Sequence, residues 1–251
     1  MNKLSRILVI LGASVLLYIA GVFGTSILNN LHLKYLRGLG QNTVLIKNST
    51  GSGATGFIVK GTKSGDFFVM TNGHVCGLAE DNKVLVTYRS DTYVLEVIKK
   101  YQYNDLCAIA VPESVTKAFK IAKNYDLGSA AFVIGYPQLE PLSIATGELS
   151  GEILISIQVS ENRPKEECTG PTYTYYTDDI PELYKTVGLE SVCIRSMLSN
   201  TSTIVISPGN SGSPVVNIWG EVVAVTFASN ESGTRSYHVP LADLVQFLSE
   251  L

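Results

Sequence analysis

From residue 43 to residue 229 the chain is a succession of short apolar runs cut by turn residues. TVLIK, GFIVKG, FFVMTN, KVLVTY, YVLEVIKKY and LCAIAV follow one another over residues 43 to 111. After a break around Lys117–Leu127 the pattern resumes with AAFVIGYP, SIATGELSG, EILISIQV, STIVIS, PVVNIWG and EVVAVTFA. Many short strands with turn signals between them read as an all-β sandwich or barrel. The break divides the strands into two sets, predicting two small β units over 42–120 and 121–251. One helix is predicted after Pro240, where Leu241, Leu244, Val245 and Leu248 follow helical spacing. In the loop-like Glu161–Ser199 region, DIPELYK is read as a helical turn.

The N-terminus is a separate matter. Lys3 and Arg6 precede a run from Ile7 to Gly24 that carries no charge, and the next charge is Lys34. As a helix this run would be about 27 Å long, close to the thickness of a bilayer core. Residues 1–28 are therefore expected to be a cytoplasmic stub and one transmembrane anchor, and 29–41 a polar linker. The positive flank would keep the stub inside and place the remainder on the extracytoplasmic side. The alternative is a signal peptide, removed at the weak small-residue site Val22-Phe23-Gly24, which would give a secreted protein.

Composition excludes several classes. With 45% hydrophobic and 16% charged residues the chain is globular, not disordered. The net charge of −3 offers no basic excess for nucleic acid. Its four cysteines, Cys76, Cys107, Cys168 and Cys193, form no C-x-x-C pair, so a structural zinc is not expected. In an exported protein disulfides are the expectation. No metal or cofactor is implied.

SPGNSGSPVV, Ser207 to Val216, is a Gly- and Pro-rich turn with serine at its centre, directly ahead of a strand. A serine hydroxyl needs an adjacent base to act as a nucleophile. Of the three histidines, His32 falls in the linker, and His238 in YHVP reads as a partly buried strand or loop residue. His74, in VMTNGHVC at a strand end, is the candidate base. The base needs a carboxylate to fix its tautomer. Asp105 in YNDLCAIAV is preferred because it precedes the break and shares a unit with His74. Asp126 in NYDLGSAAFVI has nearly the same local setting and remains the alternative. The order His, Asp, Ser, with a strand after the serine, excludes an α/β-hydrolase elbow.

GATGFIV, TNGHVC, NDLCAIAV and PGNSGSPVV, in this order, resemble the trypsin/chymotrypsin-type serine peptidases, and among them the bacterial HtrA-like branch. FVIGYP with ATGELSG, GEVVAVTFAS and YHVPLADLVQFL extend the resemblance over roughly residues 42 to 250. The resemblance implies a chymotrypsin-like fold of two six-stranded antiparallel β-barrels with a short C-terminal helix. It implies Ser211 as nucleophile, His74 as general base then acid, and Asp105 as the orienting carboxylate. The backbone N–H groups of Gly209 and Ser211 would form the oxyanion hole. Glycine at 209 suits this independently, because it adopts backbone conformations closed to other residues.

The departures are equally definite. Asn210 stands where digestive-type relatives carry aspartate, so activation by insertion of a freed N-terminus is not expected. A PDZ domain after the protease is not expected either. The Glu161–Ser199 segment, with PTYTYYTDD, has no counterpart in the resemblance. Val205, six residues before Ser211, replaces the aspartate of basic specificity. With Phe227, Ala228 and Ser229 forming the pocket wall, a small or medium apolar residue before the cut bond is expected. The alternative is that His238 reaches the pocket and reads an acidic or amide side chain. Contact between His74 and Asp105 would bring Cys76 and Cys107, each two residues further on, within bridging range. The pairings expected are therefore Cys76–Cys107 and Cys168–Cys193, the alternative being that Cys76 and Cys107 are buried free thiols. The function expected is a membrane-tethered serine endopeptidase working through an acyl-enzyme on protein or peptide substrates. The alternatives are an inactive double-barrel binding module and a serine esterase on the same fold.

Overall fold

Alternation is clearest in one strand of the first sheet. In Lys83–Tyr88 every second side chain, Val84, Val86 and Tyr88, is buried, as a half-buried strand requires. The computed structural model describes residues 29–47, 52–77, 79–101, 104–161, 168, 173–176 and 192–251. The chain divides into two compact units, Met1–Leu39 and Gly40–Leu251.

In the first unit the described residues 29–39 form a helix, α1, where the sequence reading expected a linker. Leucine, lysine and arginine are good helix formers, and here they outweigh the polar appearance of the stretch. The His32 and Tyr35 rings stack along it with centroids 6.5 Å apart. No helix among the described residues is long and apolar enough to cross a membrane. The Ile7–Gly24 run expected to do so lies outside the described residues, as does DIPELYK.

The second unit opens with a 3-10 turn, Gly40–Asn42, and six strands: β1 (Thr43–Lys47), β2 (Gly53–Lys60), β3 (Phe67–Thr71), β4 (Lys83–Tyr88), β5 (Asp91–Tyr101) and β6 (Leu106–Ile109). They close into a barrel in the order β1-β2-β3-β6-β5-β4, all pairs antiparallel. Its core is Val44, Ile46, Ile58, Val69, Val86 and Ile109, all at most 2% exposed. A one-turn helix, α2 (Gly73–Cys76), follows β3.

The remaining strands are β7 (Ala130–Gly135), β8 (Ser143–Glu161), β9 (Tyr173–Tyr176), β10 (Val192–Ser202), β11 (Pro214–Val216), β12 (Val222–Ser229) and β13 (Ser236–Pro240). They form a sheet in the order β13-β12-β11-β7-β8-β10-β9. A further pairing, β10 with β13, joins six of them in a ring and leaves β9 outside it. Two expected strands, SIATGELSG and EILISIQV, are one continuous β8. STIVIS is not a strand beyond Ser202. There the ladder breaks register and Thr203 spends its N–H on Glu148 O, leaving an irregular approach to the Ser207 turn. The last helix, α3 (Leu241–Leu248), buries Leu241, Leu244, Phe247 and Leu248, while Val245 faces out at 44% exposure.

Both expected disulfides are present: Cys76–Cys107, with Cα atoms 6.4 Å apart, and Cys168–Cys193, at 5.8 Å.

Candidate active site

Sheet register brings the first two residues together. Thr71 at the end of β3 stands opposite Cys107 in β6. α2 then lifts His74 three residues beyond Thr71, and Asp105 lies two residues before Cys107. His74 Nδ1 sits 2.8 Å from Asp105 Oδ2, and the His74 backbone N–H donates to Oδ1, also at 2.8 Å. Both carboxylate oxygens are thus engaged by one residue. An ionised carboxylate only accepts, so the proton belongs on Nδ1 and the Nε2 lone pair is left free. Asp105 is buried at 4%, whereas half of the His74 side chain is exposed. Asp126 is exposed and receives the Ser129 N–H on its carbonyl, so it is Asp105 that meets His74.

Ser211 occupies the turn between Ser207 and Ser213, and neighbours hold that turn by its carbonyls. Pro208 O accepts from the Gln138 N–H at 2.6 Å, Gly209 O from Thr55 Oγ1 at 2.7 Å, and Asn210 O from the Ser213 N–H at 2.9 Å. In a trans peptide the carbonyl and the following N–H point in opposite directions. Fixing Pro208 O and Asn210 O therefore fixes where the Gly209 and Ser211 N–H groups point. Neither of those two donors meets an acceptor among the described residues. Gly209 has φ +96°, and a Cβ there would run into Tyr136 O and come within 2.9 Å of Gln138 N. Only glycine fits.

Thr55 in β2 ties the turn to the first barrel. Its N–H donates to Ser211 O at 2.8 Å, its hydroxyl holds Gly209 O, and its own carbonyl accepts from Thr71 Oγ1 at 2.8 Å. The Ser211 hydroxyl lies 3.5 Å from Phe227 O. His74 and Ser211 line one cleft of about 90 Å³, together with Ile46, Gly53, Ala54 and Val84. Val205, Phe227, Ala228 and Ser229 are not part of that lining. Val205 points to solvent at 65% exposure, and the Phe227 ring is buried beside Tyr237.

A second histidine and serine also meet. His238 Nε2 lies 2.8 Å from Ser202 Oγ and 2.9 Å from Ser236 Oγ, and its Nδ1 is 3.2 Å from Thr226 Oγ1. All four residues are fully buried. Desolvation pushes the His238 pKa down to about 3, so the ring is neutral. With no surface open to a substrate, this group is a core network; His238 does not reach an acidic side chain from solvent. The sequence reading placed it as partly buried, and it missed the supporting roles of Thr55 and Asn72. GAT and TNG, the triplets holding them, sit inside motifs already singled out and were the available signal. Among the described residues no three His, Cys, Asp or Glu side chains are grouped to hold a metal.

The geometry and fold agree with comparison to known proteins. The trypsin-like peptidase domain family matches residues 54–225. The chain is 24% identical over 219 residues to "Serine protease HtrA-like" of Staphylococcus aureus (strain MRSA252), covering 84% of this chain and 25% of that protein. It therefore spans about a quarter of that relative's length. The Rv3671c protease of M. tuberculosis in its active form superposes with a TM-score of 0.63 at 18% identity, over 85% of this chain and 82% of that one. The serine endoprotease of Yersinia pestis gives 0.59 at 17%, over 87% and 66%. The chain belongs to the trypsin-like peptidase family, and its fold is that of the trypsin-like serine proteases.

Proposed function

We propose that the protein is a serine endopeptidase, tethered by its N-terminal segment on the extracytoplasmic side of a membrane. One observation carries the catalytic reading. His74, with Nδ1 on the Asp105 carboxylate, opens onto the same cleft as Ser211, whose flanking peptide planes are held by Ser213 on one side and Thr55 on the other. Ser211 Oγ attacks the scissile carbonyl while His74 Nε2 takes its proton. The Gly209 and Ser211 N–H groups receive the oxyanion, each worth about 3–4 kcal/mol in the transition state. His74 then protonates the leaving amine, and water releases the acyl group from Ser211 by the same path in reverse. Phe227, Ala228 and Ser229 are assigned to the side chain before the cut bond, since Phe227 O lies beside the nucleophile. The run from Ile7 to Gly24, behind Lys3 and Arg6, supports the tether.

Labelling of intact protein with a fluorophosphonate probe tests the chemistry, and peptide-library cleavage separates a peptidase from an esterase. Absence of Ser211 labelling would leave a binding module. Retention of Met1–Gly24 in carbonate-washed membranes tests the tether; a soluble form starting near Thr25 would replace it with a cleaved signal.

A further inference from the structure

A concavity of about 630 Å³ opens where the two sheets meet the segment that joins them. β2 and β3 contribute Lys60 and Phe67, the joining segment contributes Phe119, Lys120 and Lys123, and Glu221 comes from the turn just before β12. The three lysines are exposed, and none has a carboxylate within ion-pair distance among the described residues. Lys60 Nζ instead lies 6.0 Å from the centre of the Phe67 ring. Glu221, the one acid in the lining, is partly buried and accepts from Asn217 Nδ2 at 3.2 Å. Three cations thus face one anion, in a recess, on a chain whose net charge is −3. A cleft lined by one sign of charge concentrates its field and gathers the opposite sign.

We propose that this groove docks an acidic polypeptide segment, with carboxylates on Lys60, Lys120 and Lys123 and an apolar side chain against Phe67. The mixed lining selects the ligand class. Small inorganic anions are held by converging main-chain N–H groups, whereas these donors are single charges on flexible stems beside aromatic rings. Nucleic acid would need a basic surface running along the protein, which this composition does not supply. The groove is also remote from the cleft. β2 begins at Gly53 in the cleft and ends at Lys60 in the groove, about 23 Å apart at ~3.3 Å per residue. An extended substrate occupying both needs about seven residues between its acidic segment and the cut bond. That recruiting role rests on the endopeptidase reading; the binding itself does not.

The test uses the full chain in detergent carrying Ser211→Ala. The probe is a fluorescein-labelled peptide of about ten residues alternating glutamate with phenylalanine or leucine, followed by anisotropy. The groove predicts saturable binding that weakens at least tenfold in Lys120→Glu/Lys123→Glu and falls steeply with added salt. Phe67→Ala should weaken it several-fold. Equal affinity in the charge-reversed protein, equal affinity for a glutamine-for-glutamate peptide, or stronger binding of polyphosphate or a single-stranded oligonucleotide would overturn the proposal. On wild-type protein, an acidic segment about seven residues from the cut bond should lower KM without changing kcat, and the charge reversal should abolish that difference. Binding on the Ser211→Ala protein stands or falls by itself, so absence of hydrolysis counts against the peptidase reading and not against the groove.

Discussion

Asn72 holds Asp105 by its backbone. The Asn72 side-chain amide donates to Asp105 O at 3.1 Å, and Asp105 sits at φ +52°, a left-handed conformation that side chains rarely adopt. Asn72 is itself fully buried. A strained residue persists only where its surroundings over-determine it. Asn72→Ala removes one of those restraints, worth about 1–2 kcal/mol, and should lower kcat roughly five- to thirtyfold with KM nearly unchanged. Steady-state kinetics on a short peptide decide it. A matching rise in KM with kcat intact would place Asn72 in substrate binding instead.

Ser211→Ala and His74→Ala should each remove nearly all hydrolysis, by roughly 10⁴–10⁶ in kcat, with the double variant little worse than either. Asp105→Asn should be severe and Asp126→Asn mild, because Asp126 lies exposed before β7. More than a tenth of wild-type hydrolysis in Ser211→Ala would sink the assignment.

The two disulfides close loops of similar length, with partners 31 and 25 residues apart. Chain entropy assigns each about 3–4 kcal/mol. Their effects on activity should differ. Cys76–Cys107 joins α2, which carries His74, to β6, which Asp105 precedes. Cys168–Cys193 joins residues remote in sequence from those elements. Replacing either pair by alanine should lower Tm, but only loss of the first pair should also lower kcat at a temperature where both variants remain folded. Equal kcat losses in the two variants would contradict this.

His238 sets a pH dependence of stability. Its folded pKa of about 3 lies below its unfolded value near 6.5, so the unfolded chain takes up a proton that the folded one excludes. Its contribution is fully present above pH 6.5 and is lost as pH falls towards 3. Between pH 7 and pH 5 the loss is about 2 kcal/mol. Urea unfolding at the two pH values, for wild type and His238→Gln, isolates this part, since the other titrating groups are common to both. Identical pH slopes would show that His238 does not govern it.

Local motifs made the cleft legible. TNGH, NDLC and PGNSG each carry both a candidate reacting group and the backbone geometry that aims it. The Cys76–Cys107 pairing followed from the expected contact of His74 with Asp105, each two residues before a cysteine. The His238 network was not legible, because Ser202, Thr226 and Ser236 stand at the ends or middle of three different strands and meet only when β10 pairs with β13. The same remoteness hid the lysine groove, whose members are spread from residue 60 to residue 221. α1 was misread because a polar surface is common to linkers and exposed helices, and propensity alone separates them. STIVIS has the composition of a strand, but composition does not reveal that Ser202 is the last residue with a ladder partner.

Thr55 gives the fold an order of events. It belongs to the half of the chain that is synthesised first, yet it fastens the turn bearing Ser211, which leaves the ribosome more than a hundred residues later. The serine-bearing half, made alone, would display its nucleophile on a turn that lacks its Thr55 anchor, and the earlier half alone would have a base with nothing to deprotonate. The base and the nucleophile therefore come together only when the last strands have docked onto the first, so the proposed cleft does not exist in a nascent or truncated chain.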